Sequence, residues 1–135
     1  MSIDISPELD ARLRKEMVIW LTSVRADGTP QPAPVWFLWD GESFLIFSQP
    51  QARKVGNIRA NPKVALNLNS DADGGAVAVL WGQARLEPGA PPAKEVAAYL
   101  AKYRQGIADI GMDPDSFSDG YSLTIRVVPT RVRED

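Results

Sequence analysis

The sequence predicts an antiparallel, barrel-like α+β domain that is mainly β. Three observations point to it. Six segments carry strand patterning, Asp27-Gly28 and Asp40-Gly41 join the early ones through tight turns, and helical patterns are inserted between the later ones. A chain of 135 residues buries about two thirds of its unfolded surface around one core, so residues 1-135 read as a single domain.

The opening element is a helix. Ser6 precedes Pro7-Glu8, which is a helix start with an acidic first turn, and Leu9, Leu13 and Met17 repeat at i, i+4 and i+8. A three-strand meander follows: "VIWLTSVR" (18-25), "VWFLW" (35-39) and "SFLIFS" (43-48), rich in β-branched and aromatic residues. In "SQPQARKVGNIRANPKVAL" (48-66), Pro50 suits a first helical position, Val55 and Ile58 form an apolar stripe, and Asn61 before Pro62 ends the helix. "VALNLN" (64-69) and "AVAVLWGQARL" (76-86) read as strands on either side of a Gly74-Gly75 loop. Val96, Tyr99, Leu100 and Tyr103 give a helix bounded by Pro92 and Gly106, and "YSLTIRVV" (121-128) alternates as the last strand, with Pro129 marking a bend or an edge.

Composition excludes much chemistry. The chain has neither cysteine nor histidine, so disulfides, thiolate nucleophiles, imidazole bases and the usual zinc, haem and iron-sulfur ligand sets are missing, and no metal is expected. Fifteen basic against 17 acidic residues leave a net charge of -2, which provides no general field for a nucleic acid. The start "MSIDISPELDARLRKEM" has early acidic residues and no apolar core of signal-peptide length, and no run approaches a membrane span; a soluble cytoplasmic protein is expected.

Two features suggest a binding site. Prolines 30, 32 and 34 in "TPQPAPV" remove every second N–H, all on one strand edge. That edge reads either as a strand protected from aggregation or as a gap beside which a planar ligand fits, with the N–H groups of Ala33 and Val35 serving the neighbouring strand. Trp36, Trp39 and Trp81 are candidates to stack on such a ligand, Trp36 first because it abuts the proline edge.

The second feature is Arg53 and Lys54 in the first turn of a helix, where the dipole is already positive and a cation costs up to about 1 kcal/mol. A bound phosphate turns that cost into a gain, with Ser48, Gln49 and Asn57 as neutral donors nearby; two solvated side chains are the plain alternative. Arg59 and Lys63 extend the basic patch or simply belong to the surface. Arg126, Arg131 and Arg133 read as the polar face of the last strand, and Tyr103 and Tyr121 either as proton donors in a cleft or as core residues.

With these residues in place, the stretch "LTSVRADGTPQPAPVWFLWDGESFLIFSQPQARKVGNIRANPKVALNL" resembles the pyridoxamine 5'-phosphate oxidase-like split β-barrel superfamily, and within it the flavin/deazaflavin oxidoreductases of the B group. The resemblance implies an FMN-binding-like split β-barrel of antiparallel strands with inserted helices. It also implies a homodimer with cofactor sites at its interface. It assigns Lys54 to the cofactor phosphate by its spacing to Asn57, Arg59 and Pro62, places Arg53, Gln49 and Ser48 in the adjoining segment, and sets Pro34, Val35 and Trp36 along the isoalloxazine-type ring. The activity it implies is coenzyme F-420 (deazaflavin) dependent hydride transfer to a small conjugated or planar organic substrate. An FMN-dependent oxidoreductase and a non-catalytic flavin- or tetrapyrrole-binding protein are the alternatives. Hydride chemistry belongs to the cofactor, so the chain singles out no catalytic residue. Glu134-Asp135 follow directly on the last strand, so a segment that closes the substrate pocket in longer relatives is not expected.

Overall fold

The computed structural model describes residues 3–135; the part of the reading of the opening segment that falls on Met1 and Ser2 lies outside them. The chain runs α1 (Pro7–Lys15), β1 (Ile19–Val24), β2 (Pro30–Val35), β3 (Leu38–Trp39), β4 (Phe44–Ser48), α2 (Arg53–Ala60), β5 (Lys63–Asn67), β6 (Ala78–Leu86), a 3-10 turn (Ala93–Glu95), α3 (Ala97–Asp109), α4 (Pro114–Gly120) and β7 (Leu123–Glu134). Among the described residues no helix is long and apolar enough to cross a membrane.

The strands form one antiparallel sheet in the order β2-β1-β5-β6-β7-β4-β3. The expected meander is therefore absent. β1 pairs with β2 at one end of the order and β3 with β4 at the other, and only Trp36 and Phe37 separate β2 from β3. A flat sheet would put those two strands about 29 Å apart, yet three residue steps span about 10 Å. The sheet must curl until its ends approach. The result is the split barrel, with its gap beside β2.

β2 contains the proline run, which the reading above put on a strand edge without counting it as a separate strand, so seven strands replace the expected six. Its ladder with β1 sets Pro30, Pro32 and Pro34 opposite Val24, Thr22 and Trp20. Only Gln31, Ala33 and Val35 have an N–H to give, so these supply the ladder and the exposed prolines leave the outer edge without donors.

Curling buries β4 on both faces. Phe44 and Ile46 enter the barrel core with Leu9, Leu13, Val55, Ile58 and Leu80, whereas Leu45 and Phe47 join a second cluster with Tyr99, Tyr103, Ile107 and Phe117 under α3 and α4. Ser6 caps α1 by accepting from Leu9 N–H (3.0 Å), and Leu9 and Leu13 are buried as expected. Met17 is not; it lies beyond the helix and is 43% exposed.

Other boundaries shift for local reasons. Gln49–Ala52 form a turn, so α2 starts at Arg53 and not at Pro50. Gly106 does not stop α3, which continues to Asp109; a Cβ there would come within 3.3 Å of the Trp36 indole, so the glycine is a seat for that ring. Asp113 caps α4 in a reciprocal box with Ser116, ahead of Pro114 at the first helical position, a helix start that the sequence reading passed over. Tyr121 precedes β7 instead of opening it.

β7 runs straight through Pro129 because the ladder with β6 is bulged there: Trp81 faces Arg131 while Gly82 faces Pro129. A Cβ at Gly82 would collide with the Val128 carbonyl and lie 3.0 Å from Pro129 Cα. Gly82→Ala is therefore expected to lower stability by about 1–3 kcal/mol through overpacking, read as a lower urea midpoint. An unchanged midpoint would mean that the bulge can move aside.

Candidate functional site

The gap beside β2 opens into a cleft of ≈ 420 Å³. Its walls come from four places in the chain: Pro34, Val35 and Trp36 at the end of β2, Phe47, Ser48 and Gln49 at the end of β4, Ala52 and Lys54 at the start of α2, and Tyr99, Ile110, Phe117 and Tyr121 from α3 and α4 or their ends. Lys54 is the one charged side chain among them. The remainder is mostly apolar and aromatic.

The α2 terminus concentrates positive potential on that lysine. Ala52 offers no side-chain cap, the first turn holds no acidic residue, and Arg53 and Lys54 are its first two residues. Lys54 is half-buried, and burial pulls its ammonium below the ordinary lysine range. Among the described residues no carboxylate lies within ion-pair distance of it. A half-buried cation, free N–H groups and a helix dipole thus converge without an anion.

Six of the expected site residues meet around the cleft: Lys54, Ser48, Gln49, Pro34, Val35 and Trp36. Arg53 and Asn57 do not line it. Arg53 is exposed at the helix start. The Asn57 amide donates to Ser23 Oγ (3.0 Å) and Gln31 Oε1 (2.8 Å), which ties α2 to β1 and β2. Ser48 is buried and its hydroxyl donates to the Gln49 carbonyl at 2.9 Å, leaving oxygen lone pairs.

The tryptophans separate. Trp36 belongs to the cleft, although its ring already stacks on Tyr103 (4.8 Å, 10°) and Phe117 (5.7 Å, 14°). Trp39 is core: its Nε1 donates to Asp10 (2.9 Å) and its ring packs on Phe44. Trp81 lies on β6 under the Arg131 guanidinium, 4.8 Å from the ring centre. Arg126 is held by Glu87 (2.9 Å) and Ser43 (2.9 Å) and serves the sheet. Arg59 stands in the last turn of α2 and Lys63 opens β5, both outside the lining.

Tyr103 is a core residue, not a proton donor in the cleft. It is fully buried; its oxygen accepts from Phe37 N–H (2.9 Å), its proton goes to the Met17 carbonyl (2.7 Å), and burial raises its pKa. Tyr121 does line the cleft, stacked on Phe117 at 4.7 Å. The sequence reading missed Phe47, Ala52, Tyr99, Ile110 and Phe117 as site residues. Phe47 fell within a strand pattern and Tyr99 within a helical stripe, but nothing local says that these faces border a cleft.

Proteins already known share this fold. The family model described as pyridoxamine 5'-phosphate oxidase matches residues 5–134. The chain belongs to that family. No curated protein matches it by sequence. Among solved structures, a pyridoxamine 5'-phosphate oxidase-type protein of Listeria innocua is 27% identical with a TM-score of 0.66, each chain covered to 94%. A structure titled F420 reductase is 25% identical with a TM-score of 0.72, covering 97% of this chain and 100% of the other. HutZ, a haem storage protein of Vibrio cholerae, shares the fold at 16% identity and a TM-score of 0.66, covering 98% of this chain and 95% of its own.

An uncompensated cation at a helix N-terminus costs stability. Lys54→Met should therefore stabilise the ligand-free protein by about 0.3–1 kcal/mol at neutral pH, measured by urea denaturation. The sign follows from the depressed folded-state pKa: the cost is full below it and disappears above the unfolded value of 10.5, where the lysine is neutral in both states. A destabilised variant at pH 7 would show that Lys54 has a favourable partner within the fold.

Proposed function

We propose that the chain is a coenzyme F-420 (deazaflavin) dependent oxidoreductase, acting as one domain, which transfers a hydride between that cofactor and a small conjugated or planar organic substrate. The observation that carries the reading is Lys54, half-buried without a counter-ion at an uncapped helix start, facing a cleft whose other walls are a donor-free strand edge and aromatic side chains. That combination suits a molecule with an anionic group at one end and a flat ring at the other.

The residues present fit such a cofactor. Lys54 and the first N–H groups of α2 would hold the phosphate, with Ser48 and Gln49 beside it, and the Pro34–Trp36 backbone would flank the ring. When bound, the deazaflavin supplies the hydride chemistry, so this chain without histidine or cysteine needs only to bind, orient and shield. Phe47, Tyr99, Ile110 and Phe117 exclude water from the ring side of the cleft.

Two observations favour the deazaflavin over FMN: the similarity to an F420 reductase over nearly the whole chain, and the exposed Arg53 beside Lys54, which suits the longer acidic tail of that cofactor. Arg59 is about 9 Å further along α2 and is reached only by an extended tail. The functional unit we infer is a homodimer, because the cleft opens beside a bare strand edge with Ile110, 51% exposed, on its rim. A single-chain mass by light scattering at micromolar concentration would rule the dimer out.

Side-by-side titration of the purified protein with FMN and the deazaflavin, followed by fluorescence, tests the assignment. Tighter deazaflavin binding is expected, with a steeper loss on adding salt because exposed pairs are screened within about 10 Å at 0.1 M. FMN that copurifies stoichiometrically, or binds equally well with equal salt dependence, would replace the deazaflavin by FMN. Lys54→Ala should weaken binding of the preferred cofactor by about 1.5–3 kcal/mol, the range for a charge-assisted hydrogen bond, in a folded protein. Unchanged affinity would remove Lys54 from the site.

A further inference from the structure

The crossover between the two ends of the sheet is held by one face of α3. Phe37 N–H donates to Tyr103, whose proton passes to the Met17 carbonyl. That leaves the Phe37 carbonyl, which accepts from Lys102 Nζ at 2.8 Å. The Tyr103 hydroxyl lies 3.1 Å from the same carbonyl, but its single proton has the shorter bond to Met17 at 2.7 Å, so Lys102 is the donor this carbonyl depends on. The ammonium also sits 3.8 Å from the centre of the Phe37 ring and 5.2 Å from that of Tyr103. One turn along α3, Gly106 receives the indole of Trp36.

Lys102 is half-buried, and burial pulls it from 10.5 to about 8. The groups facing it are Glu16, at the end of α1, whose charge acts in the opposite direction, and Tyr103, which burial holds protonated. Removing an ammonium from water destabilises a fold unless the charge is used. Here it bonds the residue that follows Trp36, a wall of the cleft.

We propose that Lys102 is a positioning residue: by donating to the Phe37 carbonyl it fixes the crossover between β2 and β3, and with it the placement of Trp36 in the cleft wall. The cofactor reading enters only where binding is the readout. As Lys102 loses its proton the bond loses its charge assistance and the cation–π contact, and the Trp36 wall loosens. Global stability moves the other way. Between about 8 and 10.5 the unfolded chain binds more protons than the folded one, so this group makes stability rise with pH while the crossover slackens. A lysine that merely fills space would not separate the two.

The test compares wild type, Lys102→Met and Lys102→Arg. The Trp36 signal is the near-ultraviolet circular dichroism of each protein minus that of its Trp36→Phe counterpart, which removes Trp20, Trp39 and Trp81. Wild type should lose part of this signal with a midpoint near pH 8. Lys102→Met should lack it already at pH 7, and Lys102→Arg should keep it to pH 10. Affinity for the deazaflavin or FMN, whichever binds, should be about tenfold lower in Lys102→Met than in wild type at pH 7, a comparison at one pH that leaves the titration of Lys54 out of the difference. A folded Lys102→Met with the wild-type Trp36 signal overturns the proposal. If that variant does not fold, a pH-independent Trp36 signal in wild type overturns it instead. If neither cofactor binds wild type, the cofactor reading fails, and the Trp36 signal still decides the role of Lys102.

Discussion

The structure depends on a closure constraint at Trp36 and Phe37. These two residues connect strands that stand at opposite ends of a seven-strand order, and a chain so short can do so only if the sheet rolls up. Rolling creates an inside for Phe44, Ile46 and Leu80, and it leaves a second apolar surface outside, from Leu45 and Phe47, that α3 and α4 must cover. The crossover residues have no strand partner of their own. Tyr103 and Lys102 supply the hydrogen bonds that a ladder would have given Phe37, which meets the rule that buried backbone groups find partners.

The same closure decides where a ligand can sit. The seam must lie beside β2, because three prolines leave its outer edge without N–H donors and no further strand can add there. A seam between a strand edge and a helical pair is concave, and the start of α2 is the element that brings a charged side chain to it. Asn57 holds this geometry without touching the cleft: its amide links α2 to Ser23 and Gln31, so helix start and proline strand keep a fixed relation.

What the sequence made legible follows from how local each signal is. The Asp27-Gly28 hairpin, the start of α1 at Ser6 and the stripe of α2 are decided within a few residues, and the structure has them where expected. Ser48 and Gln49 beside Lys54 were readable from their nearness along the chain, whereas the Pro34–Trp36 segment joined them only through the resemblance, since no local pattern brings β2 to β4 and α2. The meander failed because two tight turns look alike whether or not the strands between them pair; the break at Trp36 is set by closure, a property of the whole sheet. Gly106 was misread for a related reason. A glycine after an apolar stripe looks like a helix stop until the indole that needs its missing Cβ is in view.

The helix starts of this chain provide an internal comparison. α1 begins with a Ser6 cap and Glu8 and Asp10 in its first turn, and α4 with a reciprocal cap at Asp113 and an acidic Asp115. Both obey the electrostatics of a positive helix end. α3 has neither a side-chain cap nor an acid in its first turn, but no cation there either; α2 lacks both and adds two cations, and it is the helix start that brings a charged side chain to the cleft. Propensity and packing do not ask for this, since Val55 and Ile58 would dock α2 in the core whatever occupied positions 53 and 54. An anion brought by a ligand would satisfy the dipole, the free N–H groups and Lys54 together. Stability lost in the empty protein is then recovered on binding, as expected where a site is organised in advance for a charge the chain does not itself contain.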